Sequence, residues 1–181
     1  MTRLLLVDHN DSFTQNVFAW LEDSGFDVVS AASTLEVEPF DGLVLGPGPG
    51  RPEDWPESMQ LLARWGKRPL LGICLGCQMI ATHFGATLTM GRPCHGEAVR
   101  MTHKGIGILQ GIEERVRVGR YNSLGLGELP PPLEVWGWDS EGHPLALGVE
   151  GRPWYGLLFH PDSFLSDNTS RIVENIFSSL L

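Results

Sequence analysis

Cysteine is scarce in this sequence: its 181 residues include three, at positions 74, 77 and 94. An odd and sparse set argues against a secreted disulfide framework and favours a reducing cytoplasm. A signal peptide is not expected either, because the opening MTRLLLVD is too short an apolar run and too soon acidic. We therefore expect a cytoplasmic protein.

Basic residues and long apolar runs are also few. Thirteen Lys and Arg stand against 22 Asp and Glu, for a net charge of −9, and no dense basic run compensates. The electrostatic footprint of a nucleic-acid-binding protein is missing, and attraction to anionic membranes is unfavourable. No apolar run approaches the roughly 18–20 residues that a membrane span needs. We expect neither a nucleic-acid partner nor membrane association.

The sequence also lacks any linker, repeat or block of charge that would divide it. Hydrophobic residues make up 42% and charged residues 19%, as in globular proteins. The length is close to that of one ordinary domain. We predict a single domain over Met1–Leu181.

In the first half of the chain, short apolar segments alternate with helical patterns. The patterns predict strands at 3–7, 27–31, 42–45 and 69–73, and helices at 13–21, 54–65 and 75–84. This order is typical of an α/β fold with an open, doubly wound, mostly parallel sheet and helices on both faces.

The second half has a different character, with strand-like segments separated by turns rich in Gly and Pro. These segments are 87–90, 97–101, 115–118, 133–139, 145–149 and 154–159. They favour antiparallel strands added to the sheet. A final helix is predicted at 170–181, where Ile172, Val173, Ile176, Phe177 and Leu180 share one face that should pack on the sheet.

An apolar strand leads directly into Cys74, and a helix is predicted immediately after it. Gly72 and Gly76 flank the cysteine in a G-x-C-x-G pattern, that of a nucleophile elbow with sulfur in place of oxygen. The helix N-terminus would stabilise a thiolate, and the Leu75 amide faces the place where an oxyanion would form. We therefore predict that Cys74 is a catalytic nucleophile.

A histidine at the end of another apolar strand is the candidate base. His160 is followed by Pro161 and Asp162, and catalytic residues of open α/β sheets gather at such strand ends. Pro161 keeps the chain extended, so the side chains at 160 and 162 project to the same side. Asp162 can then orient the imidazole toward the cysteine. The other histidines have no metal-ligand spacing, so we predict no metal.

A loop of glycine and proline, Gly46-Pro47-Gly48-Pro49-Gly50, follows the strand at 42–45. Its glycines let backbone amides approach a ligand closely, while its prolines stiffen the loop. No G-K-[ST] follows, so it is not a phosphate-binding loop. At the same sheet edge as the elbow, it is a candidate second half of an oxyanion hole.

Together these segments resemble the class I glutamine amidotransferases, and within them the small subunits of anthranilate synthase and aminodeoxychorismate synthase. The resemblance covers essentially the whole chain. It depends on DHNDSFTQN at 8–16, GPGPG at 46–50, GICLGCQ at 72–78, HG at 95–96, RYNSL at 120–124 and FHPDS at 159–163. The first motif is specific to the chorismate-using branch; guanylate, cytidylate and carbamoyl phosphate enzymes share the triad but lack that motif.

The resemblance implies a glutaminase mechanism that needs no cofactor. Cys74 would attack the side-chain amide of glutamine, release ammonia and leave a glutamyl thioester that is hydrolysed to glutamate. His160 would be the general acid and base, and Asp162 its orienting carboxylate. The family's oxyanion hole falls on the amides of Gly48 and Leu75. Its glutamine contacts fall on Gly48, Gly50, Gln78, Ser123 and Leu124.

A partner is implied as well, because the amidotransferase domain uses the whole length and leaves nothing to bind chorismate. A chorismate-binding synthase large subunit would consume the ammonia. Docking is expected at the carboxyl edge of the sheet, around 8–14, 46–50 and the segment after His160, where ammonia must leave. Both the tryptophan-pathway and the folate-pathway synthases remain open.

Three positions depart from the family pattern. Asp162 stands where Glu is usual, and Cys77 and Asn122 stand where His is usual. One alternative is therefore a degenerate, weakly active regulatory or binding subunit of the same complex. A second is a thiol redox protein, because Cys74 and Cys77 form a C-x-x-C pattern at a helix N-terminus.

Overall fold

The structure, a computed structural model, describes residues 1–32, 39–91, 93–167 and 169–177. Its first half alternates strands and helices, as the sequence predicts. The strands are β1 (Arg3–Val7), β2 (Asp27–Ala31), β3 (Gly42–Leu45) and β4 (Leu70–Ile73). The helices are α1 (Thr14–Asp23), α2 (Pro56–Arg64) and α3 (Leu75–His83).

The second half is mostly strand. Its strands are β5 (Leu88–Met90), β6 (Glu97–His103), β7 (Arg115–Arg120), β8 (Leu124–Leu126), β9 (Leu133–Trp138), β10 (Pro144–Val149) and β11 (Arg152–Leu157). Helix α4 (Thr169–Phe177) follows.

Nine of the described strands form one sheet in the order β2-β1-β3-β4-β11-β10-β9-β6-β7. The first five in this order run parallel, with Leu5 opposite Leu43 and Gly156 opposite Gly72. The other four are added antiparallel. The α/β fold with an open sheet and added antiparallel strands is therefore confirmed. Strands β4 and β11 are neighbours, so residues that follow them lie at one edge.

Burial explains why the parallel strands are continuous apolar runs. Every residue from Leu4 to Val7 is fully buried, as are Leu43, Val44 and Leu45. Since successive side chains point to opposite faces of a sheet, full burial of consecutive residues means that both faces are covered. In α4, Ile172, Val173, Ile176 and Phe177 are buried, and Phe177 packs on Phe26.

Most predicted element bounds agree with the structure to within two residues, but several details differ. Strand β11 was expected among the added antiparallel strands. It is antiparallel to β10 but pairs parallel with β4, because it lies where the parallel half of the sheet meets the antiparallel half. Strand β8 was not predicted, because Leu-Gly-Leu is too short to give a periodic signal. It pairs with β5 in a separate two-stranded sheet, so β5 is not added to the main sheet as expected. The predicted helix at 54–65 starts at Pro56, after a separate 3-10 turn at Pro52–Asp54. Leu180 and the rest of 178–181 lie outside the described residues.

No helix in the described parts of the chain is long and apolar enough to cross a membrane.

Candidate active site

Cys74 occupies a strained turn between β4 and α3. Its backbone angles are φ 52° and ψ −102°, in a region that side-chain-bearing residues rarely adopt. A Cβ on Gly72 would overlap the backbone of Gly76, and a Cβ on Gly76 would overlap the carbonyl of Leu45. The two flanking glycines are therefore required by close backbone approach, as the elbow predicts.

The elbow is tied to the neighbouring strand. The amide of Cys74 donates a 2.8 Å hydrogen bond to the carbonyl of Leu157, the last residue of β11. The chain then reaches His160 three residues later. Because of this pairing, the cysteine and the histidine lie at the same edge of the sheet.

His160 is 2% exposed and is held from three sides. Its amide donates to the carbonyl of Gly119 on β7 at 2.9 Å. Its ring contacts Phe13 and Tyr121 at centroid distances of 4.8 and 4.9 Å. His160 and Cys74 line the same pocket, of about 410 Å³. The predicted nucleophile and base are thus brought together, and aromatic packing restricts the orientation of the imidazole.

Asp162 lies behind the imidazole, with a fully buried side chain. Its Oδ1 is 3.4 Å from Nδ1 of His160, but among the described residues these atoms make no aligned hydrogen bond. The pKa of His160 is raised to about 9: burial opposes protonation, but Asp162 and Cys74 together outweigh it. At neutral pH the imidazole is therefore protonated.

The glycine-proline loop lies against the elbow. A Cβ on Gly48 would overlap His9 and come within 2.6 Å of Leu75. His9 is fully buried, and its ring nitrogens bond the carbonyl of Gly46 at 3.1 Å and the hydroxyl of Ser58 at 2.9 Å. Burial lowers the pKa of His9, so a neutral imidazole fixes this loop to α2. Sequence reasoning assigned His9 no functional role.

A cleft of about 490 Å³ opens beside Cys74. Its lining includes every residue that the sequence assigned to glutamine contacts: Gly48, Gly50, Gln78, Ser123 and Leu124. The amide of Gln78 donates to the carbonyl of Leu124 at 3.0 Å. The roles of these residues stay predictions, but their convergence on one cleft is a property of the structure.

Sequence reasoning assigned no glutamine contact to two charged residues in the cleft, Asp11 and Arg51, and it placed Asp11 in the expected docking segment 8–14. Gly50 has φ +80°, and the carboxylate of Asp54 accepts the Arg51 amide at 2.8 Å, so the loop ends in a turn that brings Arg51 to the cleft. The available signals were their places in the sequence: Asp11 within the first motif and Arg51 directly after the loop.

Cys77 and the elbow cysteine, Cys74, are both free thiols in the structure. The thiol of Cys77 is fully buried, and a Cβ on Gly156 would come within 2.7 Å of its sulfur. Burial, with a smaller effect of Cys74, raises the pKa of Cys77 well above its ordinary value. Thiol exchange needs a thiolate, so this geometry gives the redox alternative no support. Within the described residues, no group of three or more His, Cys, Asp or Glu could hold a metal ion.

A cysteine at a strand-to-helix elbow, with a histidine and a carboxylate after the adjacent strand, gives this α/β protein the geometry of a cysteine–histidine site for nucleophilic catalysis.

Comparison with known proteins identifies the family. A family model described as glutamine amidotransferase class-I matches residues 5–180. Anthranilate synthase component 2 of Archaeoglobus fulgidus is 36% identical over 177 residues, or 95% of this chain and 95% of that protein. Aminodeoxychorismate synthase component 2 of Escherichia coli is 33% identical over 184 residues, or 95% of this chain and 97% of that protein.

Among solved structures, a glutamine amidotransferase from Thermotoga maritima aligns with a TM-score of 0.72 at 21% identity, covering 99% of this chain and 84% of that one. This likeness supports the fold. The chain belongs to the class I glutamine amidotransferase family, which confirms the resemblance.

Proposed function

We propose that this chain hydrolyses the side-chain amide of glutamine and supplies the ammonia to a chorismate-using synthase. The thiolate of Cys74 attacks the amide carbon, and the carbonyl electrons move to oxygen. The tetrahedral intermediate collapses as His160 protonates the departing nitrogen, which leaves ammonia and a glutamyl thioester. Water then attacks the thioester while His160 accepts its proton, which releases glutamate and restores Cys74.

The amides of Gly48 and Leu75 are the proposed oxyanion hole. The tight packing of Gly48 against the side chain of Leu75 supports this pairing. Leu75 is also the first residue of α3, where amides have no partner inside the helix. Two fixed amides at the elbow would stabilise the negative oxygen of each tetrahedral intermediate.

The charged and polar residues that line the cleft suit a free amino acid as the ligand. Asp11 and Arg51 are the formally charged residues among its described lining. A zwitterion such as glutamine offers an ammonium and a carboxylate, which opposite charges in one cleft complement. Gln78, Ser123 and the backbone at Gly50 add polar groups for orientation. These features support glutamine as the substrate.

The observation that carries the proposal is that Cys74, at a strained elbow, and His160 line one pocket beside the cleft. The test is Cys74→Ser in the complex with the synthase. We expect glutamine-driven product formation to fall by at least about 10³-fold, while added ammonia still supports the reaction. Ser123→Ala is the control, expected to retain measurable glutamine-driven activity. Loss of both activities in Cys74→Ser would mean that Cys74 is structural.

A weakly active binding subunit is the second candidate, and one observation favours it. Asp162 is a methylene shorter than glutamate, and it does not form an aligned hydrogen bond with His160. Glutaminase assays of the chain with and without the synthase separate the two candidates. Turnover that stays negligible in the complex would favour the binding subunit.

The partner we propose is a chorismate-using synthase large subunit, supported by the names of the relatives. The proposed docking face includes the segment after His160. There Phe164 is 86% exposed and borders a surface pocket with Phe13 and Leu165. Apolar exposure of this size beside the proposed source of ammonia favours an interface.

We also propose that the chain is one domain and works in the cytoplasm. The continuous nine-stranded sheet supports the first proposal. Three free cysteines, one of them the proposed nucleophile, fit a reducing compartment.

A further inference from the structure

One wall of the cleft, Ser123 and Leu124, is held by hydrogen bonds from behind. The carbonyl of Leu124 accepts two side-chain amides, from Asn122 at 2.9 Å and from Gln78 at 3.0 Å. These two hydrogen bonds use both lone pairs of the Leu124 carbonyl oxygen. The orientation of the Leu124 backbone in this wall, and so the groups that the wall offers to a ligand, therefore depends on the orientation of Asn122.

Arg120 sets the orientation of Asn122. Its Nε donates to Oδ1 of Asn122 at 3.3 Å, which leaves Nδ2 for the carbonyl of Leu124. Asn122 is 4% exposed, so bulk water cannot easily replace either contact. An amide has one acceptor end and one donor end, and both are engaged here.

Arg120 is in turn held by Asp139 in a buried ion pair. Nη1 lies 3.4 Å from Oδ2, and the two side chains are 12% and 10% exposed. Asp139 also accepts the backbone amides of Glu141 and His143, both at 2.9 Å. The carboxylate is therefore anchored to the turn after β9, and the guanidinium lies between that turn and Asn122.

Neither member of the ion pair lines the glutamine cleft. Arg120 and Asp139 line a separate cavity of about 270 Å³, which also includes Cys94 and His143. An effect of this pair on glutamine must therefore pass through Asn122 or through the backbone of β7. A guanidinium is suited to this arrangement because its planar fork can donate to two acceptors in fixed directions.

We propose that Arg120 and Asp139 are positioning residues that hold Asn122 and Leu124 in the geometry that binds glutamine. The inference rests on the proposed function, because it assumes that the cleft takes glutamine. It assigns the pair to substrate affinity: the variants should weaken glutamine binding and raise KM much more than they lower kcat.

The test measures glutamine binding directly, by calorimetry on the full chain carrying Cys74→Ala so that no turnover occurs. Arg120→Lys keeps the charge and most of the stem, which protects the fold, but an ammonium lacks the planar fork. Asp139→Asn is the second variant. We expect each to raise the Kd for glutamine about tenfold, because each removes a charge-assisted hydrogen bond from the series of contacts that holds Asn122.

The matched control is the exposed ion pair on the same strand, Arg117 with Asp167, whose atoms are 2.9 Å apart. Arg117→Lys should leave the Kd within about twofold, because exposed pairs contribute little. In an Asn122→Ala background, Arg120→Lys should add little, since its effect passes through that side chain.

Three outcomes would overturn the inference. They are an unchanged Kd in a folded Arg120→Lys chain, an additive effect with Asn122→Ala, and a fall in kcat without a change in KM in the active enzyme. A fall in kcat without a change in KM would mean that the variants act on catalysis, through Gly119 and His160, rather than on glutamine binding. Failure of the parent chain to bind glutamine both alone and in the complex with the synthase would instead overturn the proposed function, and with it this inference.

Discussion

At the scale of single residues, the site depends on a buried histidine that keeps its proton. His160 is almost wholly buried, which by itself favours the neutral ring. The Asp162 carboxylate and the Cys74 sulfur reverse this preference and raise the pKa of His160 to about 9. In the proposed mechanism, a proton held in this way is given at neutral pH to the departing amide nitrogen, which leaves as ammonia, a role that a neutral imidazole could not fill.

The shifted pKa predicts a pH profile for glutaminase kcat/KM. Because the protonated ring is the acid, activity should fall as the pH rises through about 9. Asp162→Asn removes a charge that raises the pKa of His160. The alkaline limb of the profile, where activity falls with rising pH, should therefore move toward the ordinary histidine pKa of 6.5. The measurement is kcat/KM against pH for both proteins.

His83→Asn is the control for the pH profile. His83 is a partly buried histidine at the end of α3 that packs on Trp154, and its loss should leave the alkaline limb in place. An alkaline limb that is identical in wild type and Asp162→Asn would show that Asp162 does not govern the proton on His160.

At the scale of elements, backbone segments approach one another too closely for side chains. The 46–50 loop, the elbow and His9 are packed so that a Cβ on Gly48 has no space. One ring nitrogen of His9 bonds the carbonyl of Gly46 and the other bonds the hydroxyl of Ser58, which ties the loop to α2 from the other side. The position of the Gly48 amide is therefore determined by packing between elements rather than by the loop alone.

Gly48→Ala should impair catalysis more than stability. The new methyl group would push the loop away from Leu75, and loss of an oxyanion donor costs about 10²–10³ in kcat. Overpacking should lower the free energy of unfolding by about 1–3 kcal/mol. Single-turnover kinetics and urea unfolding measure the two effects.

Gly91→Ala is the matched control for the loop, because the nearest atom to its Cβ is at 3.9 Å. This variant should keep kcat within about threefold, as expected where no close contact is introduced. If Gly48→Ala retained wild-type kcat, the Gly48 amide would have no part in the oxyanion hole.

At the scale of the whole molecule, the sheet order collects the site at one edge. Cys74 follows β4, His160 follows β11, and the 46–50 loop follows β3, and these three strands are adjacent. The same edge carries the exposed Phe164, so an ammonia-consuming partner that docks there would lie next to the source.

Phe164→Ser should weaken binding of the synthase while the free chain stays folded. Burying a phenylalanine is worth about 1.5–3 kcal/mol, so we expect the Kd to rise about tenfold or more. Binding titrations measure the Kd, and circular dichroism checks the fold.

Ile106→Ser is the control for docking. Ile106 is 40% exposed and follows the C-terminal end of β6. The other end of β6 begins at Glu97, which pairs with Arg120 near the site. The synthase should bind this variant as it binds wild type. Equal affinity for Phe164→Ser and wild type would locate the interface elsewhere.

The sequence alone determined four of the five parallel strands and the local motifs of the proposed triad, but not the parallel pairing of β11 with β4. Strands β1, β2 and β3 begin and end at the residues predicted for them, because unbroken apolar runs bounded by turns are strong local signals. Cys74, His160 and the Gly46-to-Gly50 loop are also local patterns, and strand order in an α/β sheet brings strand ends together.

Only the tertiary structure decided the features that depend on distant contacts. Strand β8 has three residues, and it exists because β5 pairs with it. The buried ion pair between Arg120 and Asp139 joins residues 19 positions apart in sequence. The hydrogen bond between His9 and Ser58 joins residues 49 positions apart. Local propensity carries no information about such pairs, since their contacts form only when the sheet brings the elements together.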